Sequence, residues 1–221
     1  MKDLLFIREV LIPPLLEGLA VTIKLIFFSI PFGLLAGMII ATGRVYGNRM
    51  ISFLCRAYVI VFKGTPLLML LFLIYFGLPS LGISFQPFTA AVIGFVICNG
   101  AYNSEYIRGA LLSVRTGQLM AAEALGMTRG QAVINIILPQ AMRRALPGIS
   151  NEIIYLIKYS SLAYMLTCIE LTGAGKIVAS RYFKFTLVFL VVGVFYLCLV
   201  TIAGRILGFL EKKLQIPGLI K

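Results

Sequence analysis

The stretch TLVFLVVGVFYLCLVTIAG, residues 186–204, contains no charged residue. A helix needs about 20 mainly apolar residues to cross the hydrocarbon core of a bilayer, and this stretch supplies that length without a break. The rest of the chain agrees with it. Of its 221 residues, 60% are hydrophobic and 13% charged, and the mean hydropathy is +1.00. A soluble domain lies nearer half apolar and a quarter charged, so the composition predicts an integral membrane protein. The net charge of +12 would also suit a nucleic-acid binder. Here, however, the basic residues flank apolar stretches and form no run interleaved with aromatics, so no nucleic-acid partner is expected.

Working outward, four more spans can be marked. Residues 25–43 are free of charge and follow Lys24, which sets a first span near 18–42. No charge occurs between Lys63 and Glu105, a stretch too long for one crossing. LPSLGISFQP, a Pro- and Gly-containing turn, divides it into spans near 57–78 and 87–108. A fourth lies near 146–169 although it carries Glu152 and Lys158, and 186–204 is the fifth. The fold class predicted is all-α, a single polytopic domain over 1–221 with five transmembrane helices.

An odd count puts the termini on opposite sides, and basic residues choose which. Arg44, Arg49, Arg56, Arg108, Arg115, Arg129, Arg143, Arg144, Arg205, Lys212, Lys213 and Lys221 fall on one side; Lys2, Arg8, Lys176, Arg181 and Lys184 fall on the other. The excess places the N-terminus outside and the C-terminus in the cytoplasm. The first residues lack a compact apolar run ending in a small-residue cleavage site, so no cleaved signal peptide is expected. Cys55, Cys98, Cys168 and Cys198 have no CxxC spacing and read as small buried hydrophobes. Histidine is absent, which removes HExxH and Ser-His-Asp chemistry. No catalytic or metal site is expected.

The longest cytoplasmic loop, 115–139, is not a tether. Ala121, Ala122, Glu123, Ala124 and Leu125 form a strong helical patch. Gly126 can close that helix in a left-handed conformation. Thr128 with Gln131 three residues on fits a capping box for a second helix. The sequence therefore predicts helix, tight turn, helix.

The spacing of AAEALG, nine further residues, then Ile136-Ile137-Leu138-Pro139 resembles the EAA loop of permease subunits in bacterial ABC importers. FKGTPLLMLLFLIYFGLP (62–79), AYNSEYIRGA (101–110), GQLMAAEALGMT (117–128), ILPQAMRRALPGISNE (137–152) and LIKYSSL (156–162) narrow the likeness to the polar amino acid permease family. They occur in family order and spacing, over most of the chain. The resemblance implies a type I ABC importer fold in a bacterial cytoplasmic (inner) membrane. Met120, Ala121, Ala122, Glu123, Ala124, Leu125, Gly126 and Met127 would then form a coupling helix and its turn, seated on a cytoplasmic ATPase dimer. It implies a second permease subunit, identical or sister, an extracytoplasmic amino-acid-binding protein, and a polar amino acid substrate. This chain itself would hold no cofactor, ATP and Mg being bound by the ATPase.

The chain departs from the family pattern in three places. Met120 stands where a glutamate is usual and Glu123 follows three residues later, about 300° further round a helix. KGTP replaces RGTP, and KYSSL replaces KDTSL, putting Tyr159 where an acid is usual.

Ionisable residues inside a span are costly and are functional candidates by default. Lys158 lies about 18 Å along a helix from Leu146, near mid-bilayer, with Glu152 closer to the cytoplasmic side. The two point about 120° apart, whereas Asn151, Tyr155 and Lys158 share a face that Ser161 extends. The functional reading is a zwitterion site, with Lys158 near the substrate carboxylate and Glu152 near its ammonium group. Ser160 and Ser161 add donors. Thr65, between Lys63 and Pro66, marks a polar break that could line the same path. Paired charges that only hold the bundle together are the competing reading.

TGAGKI at 172–177 echoes a phosphate loop, but Glu170 breaks the GxxxxGK spacing and Ile177 replaces Ser or Thr. It is expected in an external loop. GLLAG (33–37) and GRILG (204–208) match GxxxG, a pattern that can pack helices and that chance also supplies in a glycine-rich chain. A secondary transporter or channel is the rival function. It would need internal repeats and a coupling-ion path, and five spans give no inverted pair.

Overall fold

The computed structural model describes residues 2–214, and among these every regular element is a helix. In chain order these are α1 (Asp3–Tyr46), α2 (Arg49–Gly64), α3 (Leu67–Leu81), α4 (Pro87–Ser113), α5 (Thr116–Ala124), α6 (Arg129–Leu166), α7 (Leu171–Tyr182) and α8 (Phe185–Leu214). Lys221, used above in the charge balance, lies outside the described residues.

Helices α1 and α8 are each long and apolar enough to cross a membrane. The count rises to four if α2 with α3, and α6 with α7, are each taken as one broken span. The region read as a third span, α4, is 27 residues long, but Asn99, Asn103, Ser104, Glu105 and Arg108 interrupt its apolar character. Length and composition alone therefore do not count it. The stretch near 57–78, marked as one span with a polar break at Thr65, is two helices: α2 stops at Gly64 and α3 starts at Leu67. Pro66 between them has no N–H to continue the ladder.

Three widened turns lie at Phe6–Leu11, Leu73–Gly77 and Val133–Ile137. Each falls just before a proline: Pro13, Pro79 and Pro139 respectively. The proline ring would otherwise clash with the carbonyl one turn earlier, and a wide turn relieves that contact without ending the helix.

The contacts gather into two compact units. The first comprises, of the described residues, 2–31, 65–96 and 153–204. Its core joins Leu11 and Leu15 of α1 to Leu171, Ala174 and Val178 of α7 and to Val188 and Val192 of α8. Small residues bring these helices close, as expected where lipid gives apolar side chains no reason to leave it. Gly18 lies against Ala174, and Gly175 against Val192.

TGAGKI, 172–177, expected as part of an external loop, lies in the helix α7. The correction is from loop to helix: α7 follows α6 at an angle of 53° across 167–170. The backbone turns at Thr167, φ 62°, and Glu170, fully buried, is the N-cap that starts α7. Its carboxylate accepts from Gly173 N at 2.8 Å, Thr172 N at 3.0 Å and the Tyr196 hydroxyl at 2.8 Å. The Thr22 hydroxyl in turn accepts from Leu171 N at 3.1 Å. One carboxylate thus satisfies orphan amides of α7 and ties in α8 through Tyr196.

The second unit comprises, of the described residues, 32–64, 97–152 and 205–214. Here GLLAG is used in packing. Gly33 faces the side chain of Asn99 and Gly37 that of Asn103, so that a β-carbon at either glycine would collide. The two asparagines are buried, and Asn103 Nδ2 donates to Asn99 Oδ1 at 2.7 Å. Gly204 and Gly208 of GRILG face open space, so only the first motif packs helices within the described residues. Arg44 and Arg108 both pair with Glu105, and the Tyr58 hydroxyl donates to Ile97 O at 2.8 Å.

Candidate functional site

The cytoplasmic elbow expected over 115–139 belongs to the second unit. Helix α5 ends in a Schellman arrangement, with Gly126 N donating to Glu123 O at 3.0 Å and Met127 N to Ala122 O at 3.1 Å. This closure needs a left-handed residue, and Gly126 sits at φ 87° with nothing near its α-carbon. Thr128 then opens α6 with a complete capping box: Thr128 N donates to Gln131 Oε1 at 2.9 Å, and Gln131 N to Thr128 Oγ1 at 3.3 Å. Both ends of the turn are therefore closed by their own hydrogen bonds.

Only Ala122 of the elbow residues singled out is buried, and Met127 is half-buried. Ala121, Glu123, Ala124 and Gly126 are exposed; Met120 is 63% and Leu125 85% exposed. The elbow thus exposes two large apolar side chains, Met120 and Leu125, together with Glu123. On its other side the chain is anchored by Arg144, whose Nη1 donates to Ser113 Oγ at 2.9 Å.

The intramembrane candidates divide between the units. Glu152, in the second unit, is 5% exposed. Lys63 is the cation acting electrostatically on it, and Lys63 Nζ also lies 5.3 Å from the centre of the Tyr102 ring. In the first unit, Lys158 is exposed with Nζ 4.6 Å from the centre of the Tyr155 ring. Tyr155 stacks on Tyr159 at 5.9 Å. Tyr159, at the position where the family pattern has an acid, therefore supports an aromatic platform under the ammonium group. Asn151, Tyr155 and Lys158 are all exposed.

The serines have local partners. Ser160 is fully buried and donates to Ile157 O at 2.7 Å, and Ser161 donates to Lys158 O at 2.8 Å. Thr65 is half-buried at the break between α2 and α3. Sequence reasoning missed Lys63 as the charge facing Glu152, and it missed the aromatic partners Tyr102 and Tyr159.

Comparison with known proteins places this geometry. The profile of the family described as binding-protein-dependent transport system inner membrane component matches residues 29–216. The probable amino-acid ABC transporter permease protein YckA of Bacillus subtilis (strain 168) is 37% identical over 201 residues, which cover 91% of this chain and 89% of that protein. The glutamine transport system permease protein GlnP of Escherichia coli (strain K12) is 34% identical over 207 residues, covering 93% and 94%. A crystal structure of an amino acid ABC transporter with histidines superposes with a TM-score of 0.82 at 32% identity, covering 91% of this chain and 94% of that one. An inward-facing MetNI methionine ABC transporter structure shares the fold, with a TM-score of 0.72 at 23% identity over 98% of this chain and 100% of its own. The fold is that of a type I ABC importer permease, and its apolar helices make it a multi-pass inner membrane protein. This chain belongs to the binding-protein-dependent transport system inner membrane components, among the polar amino acid ABC transporter permeases.

Proposed function

We propose that this chain is the transmembrane subunit of an ATP-driven importer that moves polar amino acids inward by alternating access. The observation that carries this reading is the elbow: a short helix closed at one end by Gly126 and reopened by the Thr128–Gln131 box, with Leu125 exposed. A rigid element transmits displacement where a floppy loop would absorb it. The elbow docks on a cytoplasmic ATPase, two of which close on ATP and carry the helices together, so that the attached spans rock between inward-open and outward-open states. Five spans, an external N-terminus and a cytoplasmic C-terminus complete the topology. ATP and Mg bind the partner; this subunit performs no chemistry of its own. A second permease subunit and an extracytoplasmic binding protein complete the assembly.

For the substrate, Lys158 takes the carboxylate and Glu152 the ammonium group, the two features every amino acid shares. Asn151, Tyr155, Ser160, Ser161 and Thr65 border the path. Relatives named for amino-acid, glutamine, octopine and nopaline transport support an amino acid or amino-acid conjugate as cargo. The choice among side chains falls to the binding protein.

The exposed Met120 and Leu125 favour an apolar contact with the ATPase where relatives use a carboxylate. Leu125→Asp should lower retention of the ATPase on the affinity-purified permease more than tenfold, because burying one leucine contributes about 1.5–3 kcal/mol. Glu123→Gln should leave retention near wild type. The reverse pattern would move the contact to Glu123 and contradict the apolar reading.

A further inference from the structure

Two adjoining recesses in the second unit remain unused by the transport reading. The first, of about 670 Å³, is apolar along most of its length and is lined by Leu35, Ile39, Ile51, Val133 and Ile134, with Tyr46 and Arg129 among its polar members. Arg129 lies 6.0 Å from the centre of the Tyr46 ring. The second, of about 380 Å³, is lined by Arg44, Arg49, Arg56 and Ser52 and contains no carboxylate in its lining. Gly47 lines both. Arg44 is half-buried and paired with Glu105, while Arg49 and Arg56 are exposed.

We propose that these recesses together seat one anionic glycerophospholipid, with an acyl chain in the apolar groove and the phosphate-bearing headgroup among Arg44, Arg49 and Arg56. The groove runs beside α1 from Leu35 to Tyr46, about 17 Å at helical rise. Leu35 to Thr42 fall within the first span and Arg129 to Leu138 of the elbow also line it, so an acyl chain would enter it at the cytoplasmic edge of the hydrocarbon core. Its cationic end adjoins the basic loops, where an anionic leaflet surface attracts arginine at about 1 kcal/mol per residue. A fork-shaped guanidinium also suits phosphate oxygens.

Two other occupants fit less well. A second copy of this chain, meeting face to face, would apply the same patch to itself and bring like charges together. A water-soluble ATPase could cover the arginines, but it would not follow the groove into the hydrocarbon region. The inference rests on the membrane-spanning reading above, and it uses a readout independent of transport.

The test is native mass spectrometry of the purified permease–ATPase complex incubated with phosphatidylglycerol, phosphatidylcholine or inorganic phosphate. Wild-type complex should retain phosphatidylglycerol in preference to phosphatidylcholine, and excess inorganic phosphate should not displace it. Arg49→Gln with Arg56→Gln should weaken that retention roughly 30-fold, the effect of removing two cations facing an anionic headgroup. Arg49→Lys with Arg56→Lys should restore most of it, which separates lost charge from lost folding. Ile39→Trp, filling the groove, should reduce retention of phosphatidylglycerol with the arginines intact. Equal retention of both lipids, displacement by free phosphate, or loss of the ATPase in place of the lipid in the glutamine variant would each overturn the proposal. Uptake measured on the same complex reports separately on the transport reading.

Discussion

Gly126→Asp should abolish uptake while ATP hydrolysis by the assembled complex continues. Gly126 holds φ 87°, a conformation that costs an L-residue on the order of 1–2 kcal/mol. That alone would reduce the population of the native turn roughly tenfold. Aspartate tolerates the left-handed region better than alanine does, so its larger effect must come from the charge set beside the exposed Leu125. Gly126→Ala is therefore the informative companion, since it carries the strain without the charge. The expected order of residual uptake is wild type, then alanine, then aspartate. No β-carbon clash complicates the comparison, because nothing lies within 4 Å of the position. Wild-type uptake by Gly126→Asp would refute the role assigned to the elbow.

Lys158→Ala should lower substrate uptake by one to two orders of magnitude with the complex still assembled. A hydrogen bond to a charged group contributes about 1.5–3 kcal/mol, which sets that range. The structural cost should be small. The ammonium group is exposed over the Tyr155 ring at 4.6 Å, and an exposed cation–π contact contributes about 0.5–1 kcal/mol. Lys158→Arg keeps the charge and should recover part of the uptake, whereas Tyr155→Phe keeps the ring and should be mild. Unchanged uptake in Lys158→Ala would assign the lysine to holding the bundle.

The parts legible in the sequence were those decided within a few neighbouring residues. The Gly126 closure and the Thr128–Gln131 box are local hydrogen-bond patterns, and the residue types that make them are nearly diagnostic. Thr65 and Pro66 likewise announce the break between α2 and α3. What stayed hidden depends on partners distant in the chain. Glu170 shows no role in the sequence until Thr22 and Tyr196 are brought to it, and TGAGKI reads as a loop although its glycines pack a helix. GLLAG reads as chance until Asn99 and Asn103 fill the space that Gly33 and Gly37 leave. At the candidate substrate site, Glu152 and Lys158 stand out by charge alone. Lys63, Tyr102 and Tyr159 do not, because their relevance comes from spatial neighbours.

The central claim is that this permease works only when driven by its ATPase. The direct measurement is amino-acid uptake into proteoliposomes containing the permease and its cognate ATPase, with binding protein and labelled substrate outside and ATP enclosed. Accumulation is expected only with ATP inside, and it should stop when a non-hydrolysable analogue replaces ATP. Accumulation that continues without ATP would contradict the account and favour a self-sufficient transporter.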